Sequence, residues 1–284
     1  MRPIDASAVV LLMLLLPAAA ATAAELEART VAAYERHLAD VERRFEQQVS
    51  GDVFMSELVS PRRKRLVDGE ILAGPGGGDG IIDAPNGLIH HWRATVFIPG
   101  VTLGDVLAVA KEYSRYHLVY ESVVGAGLLG REGDQYRVFL RLKRSAGVVT
   151  GVIDLWSTVE YRYPRRDHAV AVSKAACVRQ VEDAGKPRER RLPPGVGSGY
   201  LWRADTFSKY FEADGGVFVE LETIGLSRDY PPLLGWIIEP IARRLGRGSS
   251  EDSLAEFRRA VTTADRGKAA TREELEVPRS WCGT

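Results

Sequence analysis

The spacing of apolar residues predicts a helix near the start of the chain and strands through its centre. Tyr34, Leu38 and Val41 recur at intervals of four and three with polar residues between them, which is typical of an amphipathic helix. From about residue 118 to residue 225 the period becomes two, as in strands with one buried and one wetter face. The pattern therefore favours an α+β fold built on an antiparallel meander.

The clearest hairpin turns at Asp214-Gly215, a dipeptide typical of a two-residue type I′ turn. A turn centred there makes paired positions sum to 429, which places Lys209 opposite Glu220 as a favourable cross-strand charge pair. A shift of one residue would mix the apolar and polar faces. The sequence therefore predicts both the hairpin and its register.

A long helix is expected after the sheet, with an apolar stripe over residues 234–245. Pro240 predicts a kink or a restart within it, because proline lacks the amide hydrogen that a helix interior needs. Gly246 and Gly248 are expected to interrupt the helix, and Ser250 to begin it again. The predicted C-terminal element is therefore a broken helix.

The first residues have the pattern of a secretory signal peptide. An apolar run over residues 8–16 ends at Pro17, and Ala21-Thr22-Ala23 supplies a small-x-small cleavage site. The run is shorter than the ~20 apolar residues that span a bilayer. We therefore expect cleavage near Ala24, an exported chain in the periplasm or outside the cell, and no transmembrane segment in the mature protein.

These patterns divide the chain into four predicted parts. They are a signal peptide (1–24), an N-terminal helical segment (25–65), one α+β domain (66–264) and a polar C-terminal tail (265–284). The oligomeric state is left open.

Composition excludes several classes of protein. The 284 residues include 38 basic and 38 acidic side chains, so the net charge of +0 argues against a nucleic-acid partner, which requires surplus Lys and Arg. Two cysteines are too few for a disulfide-rich scaffold or a four-cysteine zinc site. Export would permit a disulfide, but we expect Cys177 to be a buried thiol in a strand and Cys282 to lie in a loose tail. No cofactor and no metal are predicted.

The apolar face of the predicted strands carries several small or mildly polar residues among larger apolar ones. Apolar walls with a few hydroxyls are typical of a site for a hydrophobic ligand with a polar end. Small residues would equally let a helix dock closely on the sheet and leave no cavity. The predicted ligand-binding residues are Leu140, Leu155, Ser157, Ser173, Cys177, Trp202, Thr206, Ser208, Tyr210, Leu221, Thr223 and Ile237.

Several segments resemble the START-like (SRPBCC) helix-grip superfamily, which includes polyketide cyclase/dehydrase and lipid-transport types, and its exported bacterial members in particular. They are Ile89-His90-His91-Trp92, residues 96–102, Gly199-Tyr200-Leu201-Trp202-Arg203, residues 214–220, and Leu226-Ser227-Arg228-Asp229 followed by Leu234-Gly235-Trp236. The resemblance implies a curved antiparallel β-sheet wrapped around a long C-terminal α-helix, here with an additional N-terminal helix. It also implies a hydrophobic ligand cavity between sheet and helix. The chain departs from the resemblance at Phe207-Ser208 and at Gly248-Ser249-Ser250.

Catalytic chemistry is not indicated by the residues. His90 and His91 are neighbours in a strand, so their rings are expected on opposite faces and unable to bind one metal. Cys177 has no evident basic partner that would activate a nucleophile. We therefore expect non-catalytic binding or transport of a lipid or other hydrophobic small molecule. The alternatives are a cyclase or hydrolase acting on an aromatic or lipid substrate in the same cavity, and a protein-interaction module with a collapsed pocket.

Overall fold

The structure is a computed structural model, and it describes part of the chain. The described residues are 24–59, 61–146, 149–229, 235–263 and 281–282. Within them, side chains are not described at 24–25, 144–146, 149–150 and 235–245. The predicted signal peptide before residue 24 lies outside this description.

The described elements form an α+β fold, as predicted. The helices are α1 (Ala28–Ser50), α2 (Arg62–Val67), α3 (Leu103–Ala110), α4 (Tyr116–Val119) and α5 (Gly235–Thr262), with 3-10 turns at Ser56–Val59 and Tyr113–Arg115. The strands are β1 (Ala24–Glu25), β2 (Leu72–Pro75), β3 (Ile81–Ala84), β4 (Gly87–Pro99), β5 (Val123–Glu132), β6 (Gln135–Ala146), β7 (Val149–Arg165), β8 (His168–Glu182), β9 (Arg190–Arg191), β10 (Val196–Gly197), β11 (Arg203–Ala213) and β12 (Gly216–Arg228).

Ten of these strands form one antiparallel sheet. Its order is β2-β4-β12-β11-β8-β7-β6-β5, with β3 also paired to β4 and β9 to β8. Strands β1 and β10 form a separate two-stranded sheet. Every pairing is antiparallel, which fits the connection of successive strands by short turns.

The hairpin of β11 and β12 has the predicted register. Lys209 lies opposite Glu220, and Thr206 lies opposite Thr223. Asp214 and Gly215 at the turn have φ angles of 56° and 73°. Two successive positive φ angles are what a type I′ turn requires, and Asp and Gly tolerate them better than most residues do.

The sheet is covered on both faces. We call the face against α3 and α5 the inner face, where Val106 of α3 and Phe257 of α5 pack on Val96 and Val219 of the sheet. We call the opposite face the outer face, where residues of α1, including Phe45, join the apolar core. The amphipathic pattern of α1 is thus explained by its packing as a third layer on the sheet.

Helix α5 is continuous from residue 235 to residue 262, so the prediction of a broken helix was wrong. Pro240, Gly246, Gly248 and Ser250 all lie inside it. Gly246 has a packing role, because a Cβ atom at this position would lie 2.3 Å from Trp92 Nε1. The glycine lets the helix approach the sheet closely and does not end it. In the part of the chain that the structure describes, no helix has the length and apolar character needed to cross a bilayer.

The two cysteines form a disulfide, which corrects the expectation that they are unpaired. Cys177 and Cys282 are bonded, with their Cα atoms 6.0 Å apart. Cys282 and its neighbour Trp281 pack on Phe139 and Trp156 of the sheet. Cys282 is therefore fixed to the sheet by a covalent bond.

Candidate functional site

The middle of the inner face is the candidate site. In this middle part, the inner-facing strand positions that the structure describes carry no Asp, Glu, Lys, Arg or His. They are the alternate residues of 92–98, 136–142, 153–161, 169–175, 204–210 and 217–223 that share a face with the inner core. The surface is therefore apolar, and its polar atoms belong to hydroxyl groups and to the Trp92 indole nitrogen.

Three of these hydroxyl residues form a row across adjacent strands. Thr206 of β11 lies opposite Ser173 of β8 on one side and Thr223 of β12 on the other. Val159 continues the row on β7, and Trp92 continues it on β4. Ser173, Thr206 and Thr223 are all partly exposed, so a ligand on the inner face has access to them.

A second line of hydroxyls runs along β11. Thr206, Ser208 and Tyr210 occupy alternate positions and therefore share the inner face. Burial raises the pKa of Tyr210 to about 12, although a hydrogen bond from Ser208 acts in the opposite direction. The phenol is therefore uncharged at neutral pH and keeps its proton for donation.

The structure brings most of the predicted ligand-binding residues together on the inner face. Those that are partly exposed there are Leu140, Ser173, Thr206, Leu221 and Thr223. Those that are buried there are Leu155, Ser157, Ser208 and Tyr210. Ile237 lies in α5, but its side chain is outside the described part of the structure.

Cys177 faces away from the candidate site, contrary to the prediction. Trp156 and Ser157 are consecutive on β7, yet they pair with Cys177 and Ala175 of β8. Ala176 is therefore the extra residue of a β-bulge, which reverses the alternation of faces beyond it. Strict alternation from the preceding strand residues placed Cys177 inside, and the bulge places it on the outer face in a disulfide.

Trp202 also lies outside the inner face, so its predicted placement there was wrong. Its indole packs in the outer core with Phe207 and Ile224. Trp202 precedes β11, which begins at Arg203, and the alternation of strand faces does not extend to it. Its amide donates a hydrogen bond to the carbonyl of Leu226, which fixes it beside the end of β12.

A group of tyrosines beside the inner face was missed by the sequence reasoning. Tyr113, Tyr116 and Tyr120 lie in or next to α4 and pack against the inner core. Burial raises the pKa of Tyr116 and of Tyr120 above the usual range of tyrosine, so both are neutral donors at physiological pH. Their spacing of three and four residues is a helical pattern and was the available signal.

Hydrogen bonds hold two of the neighbouring tyrosines in place. The Tyr161 hydroxyl donates to the carbonyl of Ala110 at 3.0 Å. Tyr113 and Tyr161 have their hydroxyls 2.9 Å apart, so Tyr113 is the donor between them. Tyr136 packs against both rings. This part of the face is therefore a fixed wall of the site.

His90 and His91 face opposite sides of β4, as predicted. His90 Nε2 lies 2.7 Å from the Ser227 hydroxyl on the inner side, and burial lowers the pKa of this histidine. On the outer side, His91 Nε2 lies 2.7 Å from Glu222 Oε1, and His91 Nδ1 lies 2.9 Å from His37 Nε2 of α1. The two rings belong to separate surroundings.

The outer histidine pair forms a directed chain of hydrogen bonds. An ionised carboxylate only accepts, so His91 donates from Nε2 to Glu222, and a neutral His91 accepts at Nδ1 from His37. Burial raises the pKa of Glu222, but the bond from His91 and the charge of Arg44 outweigh this effect and hold it below its usual range. Burial, His91 and Arg44 together lower the pKa of His37.

The predicted Lys209–Glu220 pair is also buried on the outer face, beneath α1. The ammonium lies 2.7 Å from Glu220 Oε1, and each residue is only 1% exposed. Lys209 Nζ also donates to Gln48 of α1 and lies over the Phe45 ring at 5.4 Å. These contacts, with the histidine chain, bind α1 to the sheet by polar as well as apolar groups.

A pocket of about 430 Å³ lies at the far end of the outer face, lined by residues that include Val124, Arg141 and Lys143. Arg141 is engaged by two carboxylates, Asp154 at 2.7 Å and Glu189 at 2.8 Å. This charged depression is separate from the apolar inner face and has none of its hydroxyl rows.

No family model and no curated protein matches the chain. Solved structures that it resembles include a protein from Thermus thermophilus, with 16% identity, 60% of this chain and 94% of that chain covered, and a TM-score of 0.41. A STAR-related lipid transfer protein fragment from Xanthomonas axonopodis has 15% identity and a TM-score of 0.43, and the match covers 69% of this chain and 99% of that chain. The Zhui aromatase/cyclase from Streptomyces sp. R1128 has 14% identity and a TM-score of 0.38, and the match covers 62% of this chain and 98% of that chain.

The architecture of this chain is the one that the START-like resemblance implies. An antiparallel sheet carries a long C-terminal helix on its inner face. The additional N-terminal helix α1 lies on the opposite face.

Proposed function

We propose that the protein binds a lipid or another hydrophobic small molecule on its inner face, without transforming it. The observation that carries the proposal is that side chains in the middle of this face remain partly exposed although helices pack beside them. Leu140, Thr206 and Leu221 are examples on three strands. An apolar surface that stays accessible inside a fold is a typical place for a hydrophobic ligand.

The chemistry of the inner face supports binding over catalysis. A catalytic site needs an acid, a base or an activated nucleophile that reaches the substrate. In the middle of the inner face, the described strand positions offer only hydroxyls and the Trp92 indole as polar groups, and the imidazole of His90 lies at one end of this face, where it is hydrogen-bonded to Ser227. Cys177 is bonded to Cys282 on the other face and supplies no thiolate.

The proposal is tested by binding measurements on the purified mature chain. Native mass spectrometry should detect a co-purifying hydrophobic molecule, and a fluorescent lipid should bind with saturation. Leu221→Glu places a charge in the middle of the inner face and should weaken that binding at least tenfold, since an unpaired charge is costly to bury. Val59→Glu is the matched control, because Val59 is 71% exposed.

Two results would contradict the proposal. One is the absence of both a co-purifying molecule and saturable lipid binding in a folded sample. The other is equal lipid affinity in the Leu221→Glu and Val59→Glu variants.

We further propose that the protein works after export from the cytoplasm. The signal-peptide pattern supports this, and so does the Cys177–Cys282 bond, because disulfides persist chiefly in oxidising compartments. Expression of the full chain in a bacterium should yield a periplasmic or secreted product that begins near Ala24 and resists thiol alkylation. A cytoplasmic product that keeps Met1 and has two reactive thiols would refute the proposal.

A further inference from the structure

We propose that the inner face selects an uncharged ligand with several oxygen or nitrogen atoms along one side, and not a lipid with a single charged headgroup. This inference rests on the proposed binding function and adds the class of molecule. It is carried by two crossing lines of hydroxyl residues on a surface that has no charged side chain among its described central positions.

The two lines extend over a distance that one small polar group does not reach. Same-face residues along a strand lie about 7 Å apart, so Thr206 and Tyr210 on β11 are separated by about 14 Å. Neighbouring strands lie about 5 Å apart, so the row from Ser173 to Thr223 crosses about 10 Å. A ligand that meets these hydroxyls needs polar atoms distributed over a similar distance.

The absence of charged side chains at the described central inner-facing positions determines which polar atoms fit. Serine, threonine and protonated tyrosine hydroxyls both donate and accept, so they pair with neutral hydroxyl, carbonyl and amide groups. An ionised headgroup on this surface would lose water without meeting a counter-ion from the described central positions of the inner face, which is strongly unfavourable. The surface therefore favours neutral oxygenated molecules over anionic or cationic lipids.

Competition against a bound fluorescent sterol tests the inference with three probes that share the rigid steroid ring system. Hydrocortisone carries a carbonyl at each end of its ring system and hydroxyls in the middle and at one end. Progesterone carries carbonyls alone, and cholate carries hydroxyls with a carboxylate. Hydrocortisone should displace the sterol at the lowest concentration, with cholate at least tenfold weaker. Cholate equal to or stronger than hydrocortisone would overturn the inference and leave the proposed binding function intact.

Variants that each remove one hydroxyl group provide a second test. Thr206→Val and Thr223→Val keep the branched shape and should each weaken hydrocortisone about 3- to 10-fold, as expected for one lost hydrogen bond. Thr158→Val is the matched control, since Thr158 is exposed and pairs with Lys174 on the outer side of the same sheet. Unchanged hydrocortisone affinity in Thr206→Val would also overturn the inference. If the fluorescent sterol and every other lipid probe fail to bind, the proposed function itself fails and the inference falls with it.

Discussion

Replacement of Lys209 by Met is expected to destabilise the protein far more than its place in a hairpin suggests. A cross-strand Lys–Glu pair on a solvated sheet face contributes about 1 kcal/mol or less. Here α1 covers the pair, and Lys209 and Glu220 are each 1% exposed with their charged atoms 2.7 Å apart. The variant removes the cation and leaves the carboxylate buried.

The magnitude follows from the burial of the remaining group. Removal of one partner of a buried ion pair costs about 3–5 kcal/mol, because the other charge stays desolvated and uncompensated. Glu220 Oε2 already has no hydrogen-bond partner, so the carboxylate has few alternative contacts among the described residues. The double variant Lys209→Met/Glu220→Leu removes both charges and should recover most of the loss, since apolar replacement of a buried pair is often neutral or stabilising.

Urea unfolding of the wild-type protein, the Lys209→Met variant and the double variant gives the free energies of unfolding that test this reasoning. Lys174→Met is the matched control, because Lys174 also pairs with α1, through Glu42, but its side chain is 54% exposed. We expect a loss of about 1 kcal/mol or less for the control. A loss for Lys209→Met as small as that of the control would refute the burial of the pair beneath α1.

The remaining predictions concern the tail, the outer histidines and the close approach of α5. Cys282→Ser opens a disulfide with a sequence separation of 105 residues, and should lower the free energy of unfolding by about 2–5 kcal/mol, with no further loss on adding reductant. His37 has a folded pKa below its unfolded value of 6.5, so its contribution to stability is full above pH 6.5 and is lost as the pH falls towards the folded pKa. The pH dependence of urea unfolding should therefore flatten in His37→Gln, and an unchanged profile would contradict this. Gly246→Ala should cost about 1–3 kcal/mol by thermal unfolding because its Cβ meets Trp92, whereas Gly248→Ala, with open space around it, should gain up to about 1 kcal/mol. Equal changes in thermal stability in the two alanine variants would contradict the close contact between Gly246 of α5 and Trp92 of the sheet.

Local patterns were sufficient to predict the elements that local chemistry specifies. The hairpin register followed from Asp214-Gly215, because the turn type and the strand alternation both depend on neighbouring residues. The inner placement of Thr206 and Thr223 followed from the same register. The broken-helix prediction was wrong because a sequence does not distinguish a glycine that ends a helix from a glycine that packing requires. At Gly246 the packing role is visible only once the neighbouring Trp92 side chain is placed.

Errors in the candidate site came from places where alternation stops. An extra residue at Ala176 changes the face of every later residue of β8, and no local signal marks that bulge. The placement predicted for Trp202 was wrong for a related reason, since this residue lies just before the start of β11. The pairing of Cys177 with Cys282 depends on the bulge, because the bulge turns Cys177 towards the face on which Cys282 packs.

The outer face shows why alternation alone does not reveal what covers a sheet. His91, Lys209 and Glu222 occupy positions that a sequence pattern assigns to solvent, yet α1 buries them. Burial of so many polar groups is tolerable only if the covering helix supplies matching partners. Helix α1 does so with His37 and Gln48, which are eleven residues apart and therefore share a helix face with the apolar residues that enter the core. The complementarity of these two polar sets indicates that helix and sheet are specified together, which makes α1 part of the folded unit.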